Sequence, residues 1–101
     1  MICRYWRGLF RADRADDYVA HLRTQTFPRL ERLNGFVSAS ILRRNLAAGV
    51  EFVVLTRWNS IEAIKSFAGD DPERAVIPDE LSAMIIEYDV RVRHYEELAA
   101  H

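Results

Sequence analysis

Stretches with the patterning of β-strands and stretches with the spacing of α-helices follow one another in a definite order along this sequence. Aromatic and β-branched residues concentrate in four segments, which are bounded by polar or glycine-containing turns. This order constrains the fold more than any other feature of the chain. The predicted strands are Ile2–Phe10, Phe36–Arg44, Val50–Trp58 and a last strand from about Tyr88 to Tyr95.

A long helical segment is predicted between the first two strands. Asp13 can cap it, and Asp16 and Asp17 follow in the first turn, where negative charge favours the helix dipole. Pro28 lacks an amide donor, so we expect a kink or a restart near Phe27. Asn34 and Gly35 end the segment. Its apolar residues recur at helical spacing: Tyr18, Val19, Leu22, Leu30 and Leu33.

A shorter helix is predicted after the third strand. Ser60 caps it and Gly69 ends it. Residues 70–86 are predicted to be irregular. The apolar face of this helix consists of Ile61, Ile64, Phe67 and Ala68.

The βαββαβ order predicts an α+β, ferredoxin-like domain that spans residues 1–101. Right-handed crossovers put both helices on the same face of a four-stranded antiparallel sheet, which leaves the other face open. The first strand is apolar on both faces, with Ile2, Trp6 and Phe10 on one and Cys3, Tyr5 and Leu9 on the other. An exposed apolar sheet face normally marks an interface. We therefore expect a homodimer whose sheets face each other.

Charge and composition exclude several classes of partner. Lys and Arg total 14 against 15 for Asp and Glu, so no net field favours nucleic acid. The longest apolar run has four residues, from Phe52 to Leu55, which is far short of the roughly 20 needed to cross a membrane. Arg4 and Arg7 interrupt the first ten residues, which do not resemble a secretory signal. Since Cys3 is the one cysteine, we expect no internal disulfide and a cytoplasmic location.

Nearly the whole chain resembles the antibiotic biosynthesis monooxygenase family of dimeric α/β-barrel proteins. The resemblance implies a homodimer in which each protomer holds a pocket between sheet and helices. It rests on Trp6-Arg7-Gly8, Glu51-Phe52, Trp58-x-Ser60-x-x-Ala63-Ile64, Phe67-Ala68-Gly69-Asp70-Asp71, Ala75-Val76-x-Pro78 and His94-Tyr95-Glu96.

The best-understood branch of that family oxygenates electron-rich aromatic compounds with molecular oxygen and without metal or flavin. By that resemblance, the protein supplies a base, hydrogen-bond donors and an apolar, water-poor pocket. A second branch degrades haem with an Asn on the first strand, a Trp and a proximal His. Trp6 or Arg7 replaces the Asn here, and no histidine occurs between His21 and His94. The sequence therefore does not predict haem degradation.

His94 is the candidate catalytic base. A partly desolvated imidazole near neutral pKa is a natural proton acceptor for a phenol or an enol. The alternative is a structural histidine that is hydrogen-bonded at the end of the sheet. Asp70 and Asp71 are interpreted as a turn and a helix cap rather than a metal site, because no further ligands stand at a suitable spacing. No metal and no cofactor are predicted.

Five residues are candidates for substrate binding: Trp6, Arg7, Trp58, Phe67 and Tyr95. Trp58 could line the pocket or anchor the core beneath the second helix. The strand arginines could bind a substrate oxyanion or form cross-strand ion pairs. Two functions follow as hypotheses: a cofactor-independent monooxygenase-like enzyme acting on a small aromatic or enolisable compound, and a non-catalytic small-ligand-binding or stress-associated dimer. Isomerase or cyclase chemistry needs the same base but no oxygen.

Overall fold

Strand β1 (Ile2–Phe10) lies at the centre of the sheet in a computed structural model that describes all 101 residues. On one side it pairs antiparallel with β3 (Gly49–Trp58), and β2 (Phe36–Leu46) pairs with β3 at the edge. On the other side β1 pairs with β4 (Ile85–Tyr88) and β5 (Arg93–Glu96). The order β2-β3-β1-β4 is that of a ferredoxin-like sheet, which confirms the predicted fold class.

The predicted continuous last strand is wrong. Two short strands replace it, so the sheet has five strands rather than four. Between them the chain leaves β1 and bonds instead to the segment before β4: the Ala75 amide donates to the Val90 carbonyl (3.1 Å) and the Val92 amide to the Glu73 carbonyl (2.8 Å). Val90 is consequently exposed while Val92 is buried, although alternation predicted both on one face.

The helical segment after β1 is interrupted, as predicted. Helix α1 (Ala15–His21) continues into a π-helical turn, Leu22–Thr26, and then into α2 (Phe27–Glu31). The Phe27 amide donates to the carbonyl of Leu22, five residues earlier. Pro28 has no amide to donate, so the wider turn accommodates the missing bond of the regular helix.

The predicted Asp13 cap is wrong. A short 3₁₀ turn, Ala12–Arg14, precedes α1, and no side chain caps either element. The carboxylate of Asp13 instead accepts two hydrogen bonds from the Arg11 guanidinium, at 3.1 and 2.9 Å. Asp13 thus pairs with Arg11 instead of capping the helix.

Helix α3 (Ile61–Ala68) begins as predicted, since the Ser60 hydroxyl accepts a hydrogen bond from the Ala63 amide (3.1 Å). Gly69 follows it with a φ of 89°. Gly35, in the turn before β2, has a φ of 88°, a conformation that favours glycine. The hairpin between β2 and β3 is tighter than predicted, because β2 extends to Leu46 and pairs there with Gly49.

All helices cover the same face of the sheet. Phe10 stacks on Tyr18 of α1 with ring centroids 3.9 Å apart, and Trp58 packs with Leu30 and Ile64 in a second cluster. The opposite face carries Tyr5, Leu9, Val53 and Leu55, and no helix lies over it. The sequence predicted an open face but left open whether this set of residues or its opposite would form it. We call this surface the open face. No helix in the chain is long and apolar enough to cross a membrane.

Candidate functional site

A cavity lies between the sheet and the helical layer. Its volume is about 50 Å³, and most of its lining is hydrophobic. Such a space holds a few water molecules, whereas pockets for drug-sized ligands are typically about 300–1,000 Å³. The lining residues are Arg4, Trp6, Tyr18, Leu22, Thr26, Phe27, Leu30, Val54, Thr56, Phe67, Val76, Ile77, Pro78 and Leu81.

The sheet, the helices and one irregular segment form the walls of this cavity, to which α1, α2 and α3 contribute Tyr18, Leu30 and Phe67. The floor is the helix-facing side of β1 and β3, where Trp6 pairs with Val54 and Arg4 pairs with Thr56. The π-helical turn and Phe27 form one wall. The segment 76–81 forms another, and its only regular structure is a 3₁₀ turn, Asp79–Leu81.

Arg4 is the one fully charged side chain in the lining. The residue is only 5% exposed, and burial lowers its pKa to about 10, so the guanidinium remains a cation at neutral pH. Its Nη2 donates to the carbonyl of Arg74 (2.7 Å), and its Cζ lies 5.4 Å from the centre of the Phe67 ring. Its Nε is buried and has no hydrogen-bond partner.

Hydroxyl groups supply the other polar atoms of the lining. The Thr56 hydroxyl accepts a hydrogen bond from the indole N–H of Trp58 (2.9 Å). Burial raises the pKa of Tyr18, so its phenol stays protonated and can donate a hydrogen bond. Thr26 completes this set. The cavity therefore combines aromatic walls with one cation and several neutral polar groups.

His94 lies beside the cavity, not in its lining. It is directly opposite Arg4 in the register of β1 and β5, on the helix-facing side, and its Nε2 is buried without a partner. Burial lowers the pKa of His94, and the Arg4 charge lowers it further. The neutral imidazole is therefore favoured, and Arg4 lies between it and the cavity floor on β3.

The three aromatic candidates lie on the helix-facing side of the sheet. Trp6 and Phe67 line the cavity, and the Trp6 indole N–H donates to the carbonyl of Asp89 (3.0 Å). Trp58 is fully buried outside the lining, with its ring 6.3 Å from that of Phe67. Its contact with the cavity is indirect, through Phe67 and Thr56.

Arg7 and Tyr95 lie on the open face, on the opposite side of the sheet from the cavity. The Arg7 Nε donates to Glu51 (2.6 Å), and Arg44 donates to the same carboxylate at 2.6 Å. These hydrogen bonds, first from Arg44 and then from Arg7, lower the pKa of Glu51 to about 2. Tyr95 packs edge-on against Tyr5, with ring centroids 6.4 Å apart.

Arg4 is a site residue that was not predicted from the sequence. The signal was present, since Arg4 alternates in phase with Trp6 and Phe10 on a strand predicted to be central. A charged residue on the face that the helices cover must be buried, and a buried guanidinium needs compensation. The structure contains no candidate metal site, because no cluster of three or more His, Cys, Asp or Glu residues could hold an ion.

Comparison with known proteins finds similarity in structure and none in sequence. No family model matches the chain, and no curated protein matches it. A crystal structure of a Bacillus cereus protein assigned as an antibiotic biosynthesis monooxygenase is 20% identical with a TM-score of 0.61, over 99% of this chain and 93% of that one. A monooxygenase from the gene ActVA-Orf6 of Streptomyces coelicolor, in complex with nanaomycin D, is 15% identical with a TM-score of 0.68, over 99% and 89%.

A third similar structure is a variant of MhuD with two manganese protoporphyrin IX molecules bound per active site. It is 16% identical with a TM-score of 0.70, over 100% of this chain and 98% of that one. At these identities the matches establish the fold alone. The resemblance to the antibiotic biosynthesis monooxygenase family is thereby confirmed at the level of the fold, which the chain shares with these structures over nearly its whole length.

Proposed function

We propose that this protein is a cofactor-independent monooxygenase-like enzyme that acts on a small aromatic or enolisable compound bound in the cavity. The observation that carries the proposal is a mostly hydrophobic, aromatic-lined cavity on the helix-facing side, with the unpartnered imidazole of His94 on the strand next to its floor. The monooxygenase in complex with nanaomycin D supports the choice of ligand class.

The proposed chemistry needs only a base and a water-poor environment. His94, beside the lining, takes a proton from an activated CH₂ group through one water molecule, and the resulting carbanion donates electrons to dioxygen. Overall, CH₂ and O₂ give C=O and H₂O, so the substrate carbon supplies all four electrons. Trp6 and Phe67 hold the aromatic rings of the substrate. The lowered pKa of His94 keeps the imidazole unprotonated at neutral pH and therefore able to accept the proton.

A polycyclic substrate requires the cavity to enlarge. We assign this enlargement to residues 76–78, which have no regular structure and precede the buried Leu81 of the core. Two backbone hydrogen bonds, Ala75 to Val90 and Val92 to Glu73, tie the preceding residues to the break between β4 and β5. Outward movement of this segment would open the space above Trp6 without disturbing the sheet.

A porphyrin does not fit this site. Neither His21 nor His94 is in the lining, so neither imidazole is placed to coordinate iron there directly, whereas a proton can reach His94 through one water molecule. Haem chemistry like that suggested by the porphyrin-bound variant of MhuD is therefore not proposed for this chain.

The second candidate function is a non-catalytic, small-ligand-binding dimer. The small cavity volume favours it, because Phe27 and Phe67 already fill much of the space between the layers. In that case His94 is a structural residue and the cavity takes only a single-ring ligand. Isomerase or cyclase chemistry would proceed without oxygen, so product analysis under anaerobic conditions separates it from oxygenation.

We also propose that the open face pairs with the open face of a second copy. Leu42 and Tyr95 are about half exposed there, beside the partly exposed Tyr5, Val53 and Leu55. Exposed apolar patches of this kind normally mark an interface. Arg7 and Arg44 are already paired with Glu51, so these two charges can be covered together with their counter-ion. Arg93 lies over the Tyr5 ring, with its Cζ 5.6 Å from the ring centre.

Oxygen uptake with dithranol, a hydroxylated anthrone, tests the enzymatic proposal. We expect uptake above the protein-free rate without added metal or flavin, and a loss of about tenfold or more in His94→Gln. The rate should rise with pH through a pKa below 6.5 and then stay level, because the neutral imidazole is the active form. His101→Gln, a change at the exposed carboxyl terminus, is the matched control. An unchanged rate in His94→Gln would remove His94 from the mechanism.

A further inference from the structure

Arg4 differs from the other arginines of the sheet. Arg7, Arg44 and Arg57 each form an ion pair with a glutamate on the open face. Arg4 lies on the helix-facing side, is the one buried arginine of the chain, and forms no ion pair. Removing a guanidinium from water without a counter-ion costs several kcal/mol on general grounds. The residue that carries this desolvation cost, Arg4, lines the cavity.

No acidic side chain can compensate this charge. Tyr18 is the only other titratable group in the cavity lining, and its phenol is neutral. From β5, His94 faces Arg4 with an imidazole whose pKa is lowered. From α2, Arg29 approaches the Phe67 ring at 5.4 Å and adds a second positive charge. Glu73 acts on His94 from a distance, but its side chain is half exposed and lies 3.5 Å from Arg91.

Arg4 lines the cavity and keeps one guanidinium donor without a partner. One guanidinium nitrogen, Nη2, is held by the Arg74 carbonyl, and the Phe67 ring supports the guanidinium at 5.4 Å. These two contacts fix the side chain, while the buried Nε remains unpartnered. A guanidinium fixed in this way is suited to a planar group with two oxygens or one delocalised oxyanion.

We propose that Arg4 is the counter-ion of the ligand, which binds as an aromatic oxyanion, either a carboxylate or a phenolate. Its charged oxygen meets the guanidinium of Arg4, and its ring lies among Trp6, Phe27 and Phe67. This inference rests on the proposed function only in taking the cavity as the ligand site, and it requires no oxygen chemistry.

Calorimetric titration with two isosteric pairs tests this assignment. Benzoate and benzamide share their shape but differ in charge, as do para-nitrophenolate and para-nitroanisole to a close approximation. The wild-type protein should bind the anion of at least one pair about tenfold more tightly or better, since a hydrogen bond between ionised partners is worth about 1.5–3 kcal/mol. Preference for benzoate identifies a carboxylate ligand, and preference for nitrophenolate identifies a phenolate.

Substitutions on the two faces of β1 locate the effect. Arg4→Met keeps the length of the side chain and should abolish the preference for the anion. Arg7→Met, on the same strand but on the open face, should retain it. If Arg4→Met does not fold, the Arg4 Nε–H resonance of the wild-type protein should shift with benzoate or nitrophenolate and not with the neutral partners.

Equal affinity for anion and neutral partner, or no binding of any of the four, would overturn the role of Arg4. Equal affinity would still leave the cavity as a ligand site. Conversely, a preference for the anion without any oxygen uptake from dithranol would remove the enzymatic proposal and leave Arg4 as the counter-ion. The two proposals therefore fail in different ways.

Discussion

At the scale of residues, Arg4 and Arg7 of β1 lie on opposite faces of the sheet and have different partners. Arg7 forms an ion pair with Glu51 on the neighbouring strand. Arg4 is buried beside the cavity, where it contacts the Arg74 carbonyl and the Phe67 ring. Alternation along the strand was enough to predict that Arg4 and Trp6 share a face. It was not enough to predict that no carboxylate would be nearby, because that depends on which residues of distant elements pack there.

Glu51 should make stability depend on pH. Its pKa is lowered from an ordinary 4.5 to about 2 by the hydrogen bonds from Arg44 and Arg7. A lowered pKa means that the folded state binds the proton less well than the unfolded chain. The stabilisation is therefore fully present above pH 4.5 and is lost as the pH falls towards 2.

Urea unfolding at one fixed protein concentration, between pH 6 and 2, measures this effect. Wild type should lose its advantage over Glu51→Gln across that range. Glu62→Gln, on the exposed side of α3, should show no comparable change relative to wild type. A wild-type advantage that stays constant down to pH 2 would rule out the proposed role of Glu51.

At the scale of elements, the structure differs from the prediction mainly in the helical segment around Pro28 and in the division of the last strand. The kink at Pro28 was predictable because proline removes an amide donor, but its form as a π-helical turn depends on how the helix packs on the sheet. The break between β4 and β5 was not predictable from alternation. Residues 90–92 were predicted to be part of a strand, yet Val90 and Val92 form backbone hydrogen bonds with Ala75 and Glu73.

Gly35 and Gly69 form a matched pair for testing how the connection to β2 packs on α3. Both have a positive φ, of 88° and 89°, so alanine is strained at either position. A Cβ at Gly35 would lie 2.5 Å from the Ala63 Cβ, whereas at Gly69 nothing lies within 4 Å. Gly69→Ala should cost about 1–3 kcal/mol of unfolding free energy, and Gly35→Ala should cost about 1–3 kcal/mol more.

Denaturant unfolding of the two glycine variants gives both values. Equal destabilisation of the two variants would mean that α3 can move away from the turn at no cost in unfolding free energy. A larger loss in Gly69→Ala than in Gly35→Ala would contradict the close packing of Gly35 on Ala63.

At the scale of the whole molecule, the fold was predictable and the site only in part. The order of strands and helices, together with the handedness of crossovers, was sufficient for the ferredoxin-like sheet and for its open face. Site residues depend on which face each strand turns to the helices. Trp6 and Phe67 line the cavity, while Arg7 and Tyr95, one residue out of phase with Trp6 and His94, lie on the other side of the sheet.

Pairing of two open faces predicts a particle of twice the 11.7 kDa chain mass in light scattering at micromolar concentration. Leu42→Glu should give monomers, because it puts a charge on an apolar residue of the open face that is 49% exposed. Val37→Glu is the matched control, since Val37 is 46% exposed but lies beside Phe27 and Glu31 at the edge of the helical layer. A monomeric wild type, or a Leu42→Glu dimer as stable as wild type, would contradict the pairing.

The most direct test of the central claim asks whether the cavity itself is where the ligand reacts. Val76→Phe fills the cavity from the wall segment, and Val90→Phe adds the same bulk at a residue that is 67% exposed outside it. The measurement is oxygen uptake with dithranol by wild type and both folded variants. We predict catalysed uptake in wild type and Val90→Phe and its loss in Val76→Phe, whereas undiminished uptake by Val76→Phe, or none by wild type, would contradict the account.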